Sequence, residues 1–157
     1  LNYGDGAAAL LCGTENVIAK LVGHHSVSMD FVDHFRGDES DFDYGWEERW
    51  IRDEGYAKIV PEVVKAALDD AKVSSSEVSH FIMASSLKGT AEFVAKKCAI
   101  SPEAISDGIM ETCGYAGTAH PCLMLADRWA EVASINERGR CRALKQTSFG
   151  FHQLASW

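Results

Sequence analysis

The chain has 157 residues, of which 46% are hydrophobic, 24% charged and only 3 are proline. That length buries a core without disulfide or metal staples, and the composition excludes whole-chain disorder, collagen-like and low-complexity classes. Fifteen Lys and Arg against 23 Asp and Glu give a formal charge of −8, which argues against nucleic acid as a partner, because phosphate binding needs a basic surface.

The five cysteines (Cys12, Cys98, Cys113, Cys122, Cys141) are scattered, and no Cys-x-x-Cys pair signals a zinc ribbon or a redox dithiol. With no apolar run of membrane-spanning length and no opening signal peptide, membrane association is not expected, and unpaired cysteines point to a reducing cytoplasm. The chain opens at Leu1, already inside a motif, which leads us to expect a piece of a longer protein.

In chain order, Ala7 to Cys12 is a short apolar run after Gly4-Asp5-Gly6, and Val17 to Val22 resumes the pattern after the turn residues Gly13 to Asn16. These segments predict two adjoining strands of one sheet. From Asp30 to Glu54 ten carboxylates face three arginines, interleaved with Phe31, Phe35, Phe42, Tyr44, Trp46 and Trp50. This acidic, aromatic excursion at about 30–50 reads as a solvated surface segment whose aromatics pack back on the core, or as a loop shaping a ligand tunnel or a subunit contact.

Between Trp46 and Lys72 apolar residues recur at helical spacing, and Pro61 predicts a kink or two abutting helices. Val78 to Ala84 reads as a strand buried on both faces. A short amphipathic helix over Gly89 to Cys98, a helix start at Ser101-Pro102, and an apolar helix through Leu123 to Val132 follow. The tail, Cys141 to Trp157, predicts strand, turn and strand around Gly150. Crossover helices between strands predict an α/β fold, a mixed sheet with helices on both faces, in one domain over residues 1–157.

Gly4-Asp5-Gly6-Ala7-Ala8-Ala9, Asp53-Glu54-Gly55-Tyr56, Phe81-Ile82-Met83-Ala84, Gly114-Tyr115-Ala116-Gly117-Thr118-Ala119-His120-Pro121 and Phe149-Gly150 occur in this order. In that order they resemble the thiolase-like superfamily of condensing enzymes, in the branch of ketoacyl-acyl-carrier-protein synthase III and hydroxymethylglutaryl-CoA synthase. The resemblance covers nearly the whole chain but only the C-terminal half of the family's enzyme. It implies half of a thiolase-like fold with a five-stranded mixed sheet, and an acyltransferase activity on acyl-CoA or acyl-carrier-protein thioesters.

Three departures separate this chain from that pattern. The family's nucleophilic cysteine would precede Leu1, its histidine is replaced by Ser85 or Ser86, and its Gly-Asn pair reads Gly114-Tyr115. The resemblance therefore implies a chain inactive alone, a fragment of the condensing enzyme, or else a non-catalytic acyl-binding or assembly partner. No catalytic residue is assigned. Ser85 and Ser86, at the end of a buried strand, and Tyr115, Gly117 and His120, at a glycine-rich helix start, are the expected substrate-contacting residues.

No cofactor is expected, and no metal, since the adjacent His24 and His25 would point to opposite faces of a strand. Cys113 reads either as a thiol activated at a helix start or as a small buried residue beside a tight turn. A half-thiolase would expose the apolar helix from Ala119 to Val132, which predicts a homodimer or a thiolase-like partner subunit.

Overall fold

The computed structural model describes residues 3–15 and 17–137. Helices dominate. A two-residue hairpin pairs β1 (His34–Phe35) with β2 (Tyr44–Gly45), antiparallel, Phe35 opposite Tyr44. Then come α1 (Glu48–Trp50), a π-helical stretch Ile51–Tyr56, α2 (Ile59–Ala71), α3 (Thr90–Lys97), α4 (Met110–Cys113) and α5 (His120–Glu137), with short 3-10 turns between them.

The expectation of a five-stranded mixed sheet is overturned. Among the described residues the only sheet is the β1–β2 pair, and the other ladder contacts are two isolated parallel bridges, Tyr3 with Tyr115 and Phe81 with Ile105. Of the strand expected over Val78 to Ala84, Val78, Phe81, Ile82 and Met83 are buried while Ser79 is exposed, and among the described residues the segment bridges a neighbour only at Phe81. There the Phe81 N–H donates to the Ala104 carbonyl at 2.6 Å, and the Ser106 N–H donates to the Phe81 carbonyl at 2.9 Å. Ala7 to Cys12 and Val17 to Val22 form neither strand nor helix and are mostly exposed, Leu11 completely so at 103%. Apolar composition makes a segment fit for a strand, yet a strand needs a neighbour for its N–H and C=O groups. Without one the backbone stays in water and takes its side chains with it. The strands expected in 141–157 lie outside the described residues.

The helical expectations fare better. The 46–72 region divides into abutting segments, and Pro61 falls in the first turn of α2, where its missing N–H would have no intrahelical acceptor. Val60, Val64, Ala67 and Leu68 turn one stripe of α2 inward, and Lys72 ends the helix in the left-handed region at φ 54°. Ser74 and Glu77 form a capping box that starts the next turn. α3 buries Val94 and Ala95 and begins after Gly89, whose φ of 77° suits glycine.

Two apolar clusters result. The larger joins Tyr56, Val60, Val64 and Leu68 to Phe81, Val94, Cys98 and Ile100. The smaller joins Ile82 to Met124 and Leu125 of α5. The buried segment 78–84 runs between them, with Phe81 in one cluster and Ile82 in the other, so it links α2–α3 to α5.

Candidate functional site: two tyrosines at the end of the buried segment

The C-terminal end of the buried segment delivers Ser85, half-buried, into a turn. Its Oγ donates to the Leu87 carbonyl at 3.2 Å and accepts from the Leu87 N–H at 3.1 Å. Thr90 closes the turn by donating to the same carbonyl at 2.9 Å. The Ser85 hydroxyl also hydrogen-bonds with that of Tyr56, at the end of the π-helical stretch. Tyr56 is buried, and burial pushes its phenol above the ordinary range. The Ser85 bond pulls the other way, while Tyr115 and the Asp33 carboxylate add to the rise. The phenol of Tyr115 is raised too, first by burial, then by Asp33 and Tyr3. Tyr115 and Asp33 thus lie within electrostatic reach of Tyr56, whose hydroxyl meets that of Ser85.

Beneath Tyr115 lies His120, the first residue of α5 and 0% exposed. Its Nδ1 accepts from the Ala116 N–H at 3.3 Å, which places the ring proton on Nε2, and Nε2 donates to the Gly108 carbonyl at 2.7 Å. The imidazole thus bridges two backbone groups, its ring tilted at 42° to that of Tyr115 with the centroids 5.1 Å apart. Both nitrogens are engaged, so His120 supports Tyr115 from below.

The N-terminal residues close the other side. The Gly4 N–H donates to the Tyr115 carbonyl at 3.1 Å, and a Cβ on Gly4 would sit 1.8 Å from the Cys113 carbonyl oxygen. The backbones approach so closely that only glycine fits at Gly4. The Tyr3 ring packs edge-on against Tyr115 at 6.5 Å.

Of the residues expected from sequence, Ser85 meets Tyr56, and Tyr115 packs against His120. Ser86 follows Ser85 in the turn, half-buried. Gly117 is exposed at φ 56°, with open space where a side chain would be, so it serves the turn before α5. Tyr56 and Asp33 were not among the expected site residues. Tyr56 ends the quoted Asp-Glu-Gly-Tyr segment, which was a visible signal. Asp33 had none to set it apart from nine other carboxylates.

Cys113 is half-buried and its S–H is directed at the carbonyls of Ile109 and Gly114, both at 3.3 Å. No group of three or more His, Cys, Asp or Glu able to hold a metal occurs among the described residues. The His24 backbone N–H instead donates to Asp70 at 2.8 Å, while His25 lines an open groove of about 350 Å³ against α2. No described helix is long and apolar enough to cross a membrane. What the site offers chemically is two phenols kept protonated by burial, with the Ser85 proton already given to the Leu87 carbonyl; a phenol O–H is a donor suited to a carbonyl or thioester oxygen. The chain matches no family model and no curated protein.

Proposed function

We propose that this chain is the acyl-handling part of a thiolase-like condensing acyltransferase acting on acyl-CoA or acyl-carrier-protein thioesters. In this reading it binds the acyl thioester and is inactive alone, the attacking thiolate coming from another polypeptide segment. The observation that supports the reading is the pair of phenols, Tyr56 and Tyr115, kept protonated by burial, with Tyr56 bonded to Ser85 at the end of the buried segment. Protonated phenols donate to a thioester carbonyl. They neither attack it nor abstract a proton from the incoming unit. Cys113, the nearest thiol in sequence, is committed to its own backbone carbonyls. The motif order Gly-Asp-Gly, Asp-Glu-Gly-Tyr and Gly-Tyr-Ala-Gly adds the resemblance that names the substrate class.

A second reading, a non-catalytic acyl-binding or assembly subunit working as a homodimer, is favoured by a different observation. Leu11, Ile18, Leu21 and Val22 are exposed on stretches that form neither helix nor strand. Residues 7–22 carry only Glu15 and Lys20 as charges, so a second copy meets no like-charge barrier there. The surface expected to drive dimerisation, the helix from Ala119 to Val132, is in part already covered, since Met124 and Leu125 are buried. Residues 7–22 take that role instead.

Titration calorimetry with a short-chain acyl-CoA tests the first reading. Binding is expected, weakened roughly fivefold by each of Tyr56→Phe and Tyr115→Phe, the equivalent of one hydrogen bond of about 1 kcal/mol. Absence of binding, or binding indifferent to both substitutions, overturns it.

A further inference from the structure

The strongest concentration of charge and exposed aromatic surface lies away from the tyrosine pair, on the β1–β2 hairpin. Phe35 and Tyr44 are directly opposite in the register and their rings stand 5.3 Å apart. Side chains two residues apart share a face of a strand. Trp46, whose N–H donates to the Asp33 carbonyl at 2.8 Å, extends that face. Trp46 in turn packs edge-on against Trp50 at 5.9 Å. Exposure runs from 36% at Trp50 to 81% at Phe42 in the turn. The base of this strip is rigid, because Phe31 stacks on Trp50 at 4.5 Å and fills the space beside Gly55, where a Cβ would come within 2.9 Å of the Phe31 ring. Exposed aromatics on a fixed base are the residue types that anchor protein interfaces.

The charges say what kind of partner fits. Residues 30–54 hold ten carboxylates and three arginines, nearly all of the chain's net −8. Arg49 and Arg52 are spent on Asp53, and Glu54 pairs with Lys58. Asp38, Glu39, Asp41, Asp43, Glu47 and Glu48 form no ion pair with any described residue. A second copy of this chain would bring the same uncompensated negative charge to the contact, and a polyanion would fare as badly. Apolar peptides would leave these carboxylates beside an uncompensated rim.

We propose that the hairpin is a docking surface for a polypeptide segment rich in lysine and arginine. The carboxylate rim attracts and orients the cations, and the faces of Phe35, Tyr44 and Trp46 receive guanidinium and ammonium groups by cation–π contact, burying their methylene stems. Neither acyl binding nor the thiolase-like resemblance enters this argument.

The test uses a short peptide of arginine, lysine and glycine, titrated into the whole chain by calorimetry, with an acidic peptide of equal length as control. The cationic peptide is expected to bind and the acidic one to fail. Raising salt from about 50 mM to about 500 mM should weaken binding about tenfold or more, because exposed charges are then screened within a few ångströms. Neutralising the rim (Asp38→Asn, Glu39→Gln, Asp41→Asn, Asp43→Asn together) should cost about tenfold. Tyr44→Ala with Trp46→Ala, at unchanged charge, should cost about fivefold or more. Phe42→Ala, fully out in the turn, is the companion variant if that pair disturbs the helical circular dichroism; it should cost about twofold. The proposal fails if the cationic peptide does not bind, if the rim variant binds it as well as wild type, or if the aromatic variants do, which would mean unspecific charge attraction. It fails equally if the hairpin variants abolish self-association in light scattering, which would make a second copy the occupant.

Discussion

His120 decides whether the glycine-rich segment before α5 is scaffold or chemistry, and His120→Leu separates the two. Leucine roughly matches the ring in volume, so the substitution removes polarity with only a small change in packing. It strips the Ala116 N–H of its acceptor and the Gly108 carbonyl of its donor, at a place where His120 itself is 0% exposed. A fully buried backbone group left unpaired costs about 1–3 kcal/mol, and because Ala116 and Gly108 are half-buried the two together cost about 1–3 kcal/mol. Against a typical total of about 5–15 kcal/mol that is a large fraction, and it should appear in urea denaturation as a midpoint shift at unchanged slope. His120→Gln, which can restore one of the two bonds, should recover part of that loss. Both variants should retain acyl-CoA affinity in proportion to the fraction folded. The reasoning is refuted if His120→Leu is as stable as wild type while acyl binding is lost, because the imidazole would then be a ligand-contacting group.

Three further outcomes follow from the same geometry. Burial raises both phenols, so the folded chain keeps protons that the unfolded chain releases near the ordinary tyrosine value of 10.0. The stability this contributes is complete below that pH and falls as pH rises through the folded values; Tyr56→Phe should flatten the decline in alkaline denaturation curves, and phenolate absorbance should show two late-titrating tyrosines. Cys98, buried and pushed up by that burial despite Lys65 and Lys97, should resist a thiol reagent that labels exposed Cys12 at once; mass mapping after brief labelling that finds Cys98 first would contradict the packing. Lysine at Leu11, Ile18 and Leu21 together should abolish dimers in light scattering while leaving thermal unfolding within about 0.5 kcal/mol, since these side chains contact little within one chain.

How far the sequence was legible depended on whether a residue's partner was near in the chain. α2, α3 and α5 were readable because helical hydrogen bonds are local and the apolar stripe (Val60, Val64, Leu68) declares its own face. Pro61 was read as an interruption, and the structure shows two abutting segments with Pro61 accommodated in a first turn. The sheet was misjudged for the opposite reason. Val78 to Ala84 has the composition of a buried strand and buries Val78, Phe81, Ile82 and Met83 but not Ser79, yet pairing depends on what lies beside it, and among the described residues only Ala104 to Ser106 pairs with it. The site was half legible: Ser85, Tyr115 and His120 fall in motif-like segments, whereas Asp33 stands among ten carboxylates and is distinguished only by where the hairpin puts it.

The two exposed surfaces of the chain differ in a way that bears on both proposals. The sequence of residues 7–22 is apolar and nearly neutral, and the chain is held on either side of it by Gly4 on Tyr115 and by His24 on Asp70. The hairpin is aromatic, folded on itself and strongly acidic. A neutral segment outside helix and strand is served by backbone pairing with any strand edge, an identical one included, whereas the hairpin has its own backbone pairs and offers only side chains. Asp33 ties the second surface to the tyrosines: its neighbour His34 opens β1, and its carboxylate, which bonds the His34 ring at 2.6 Å, is felt by both Tyr56 and Tyr115.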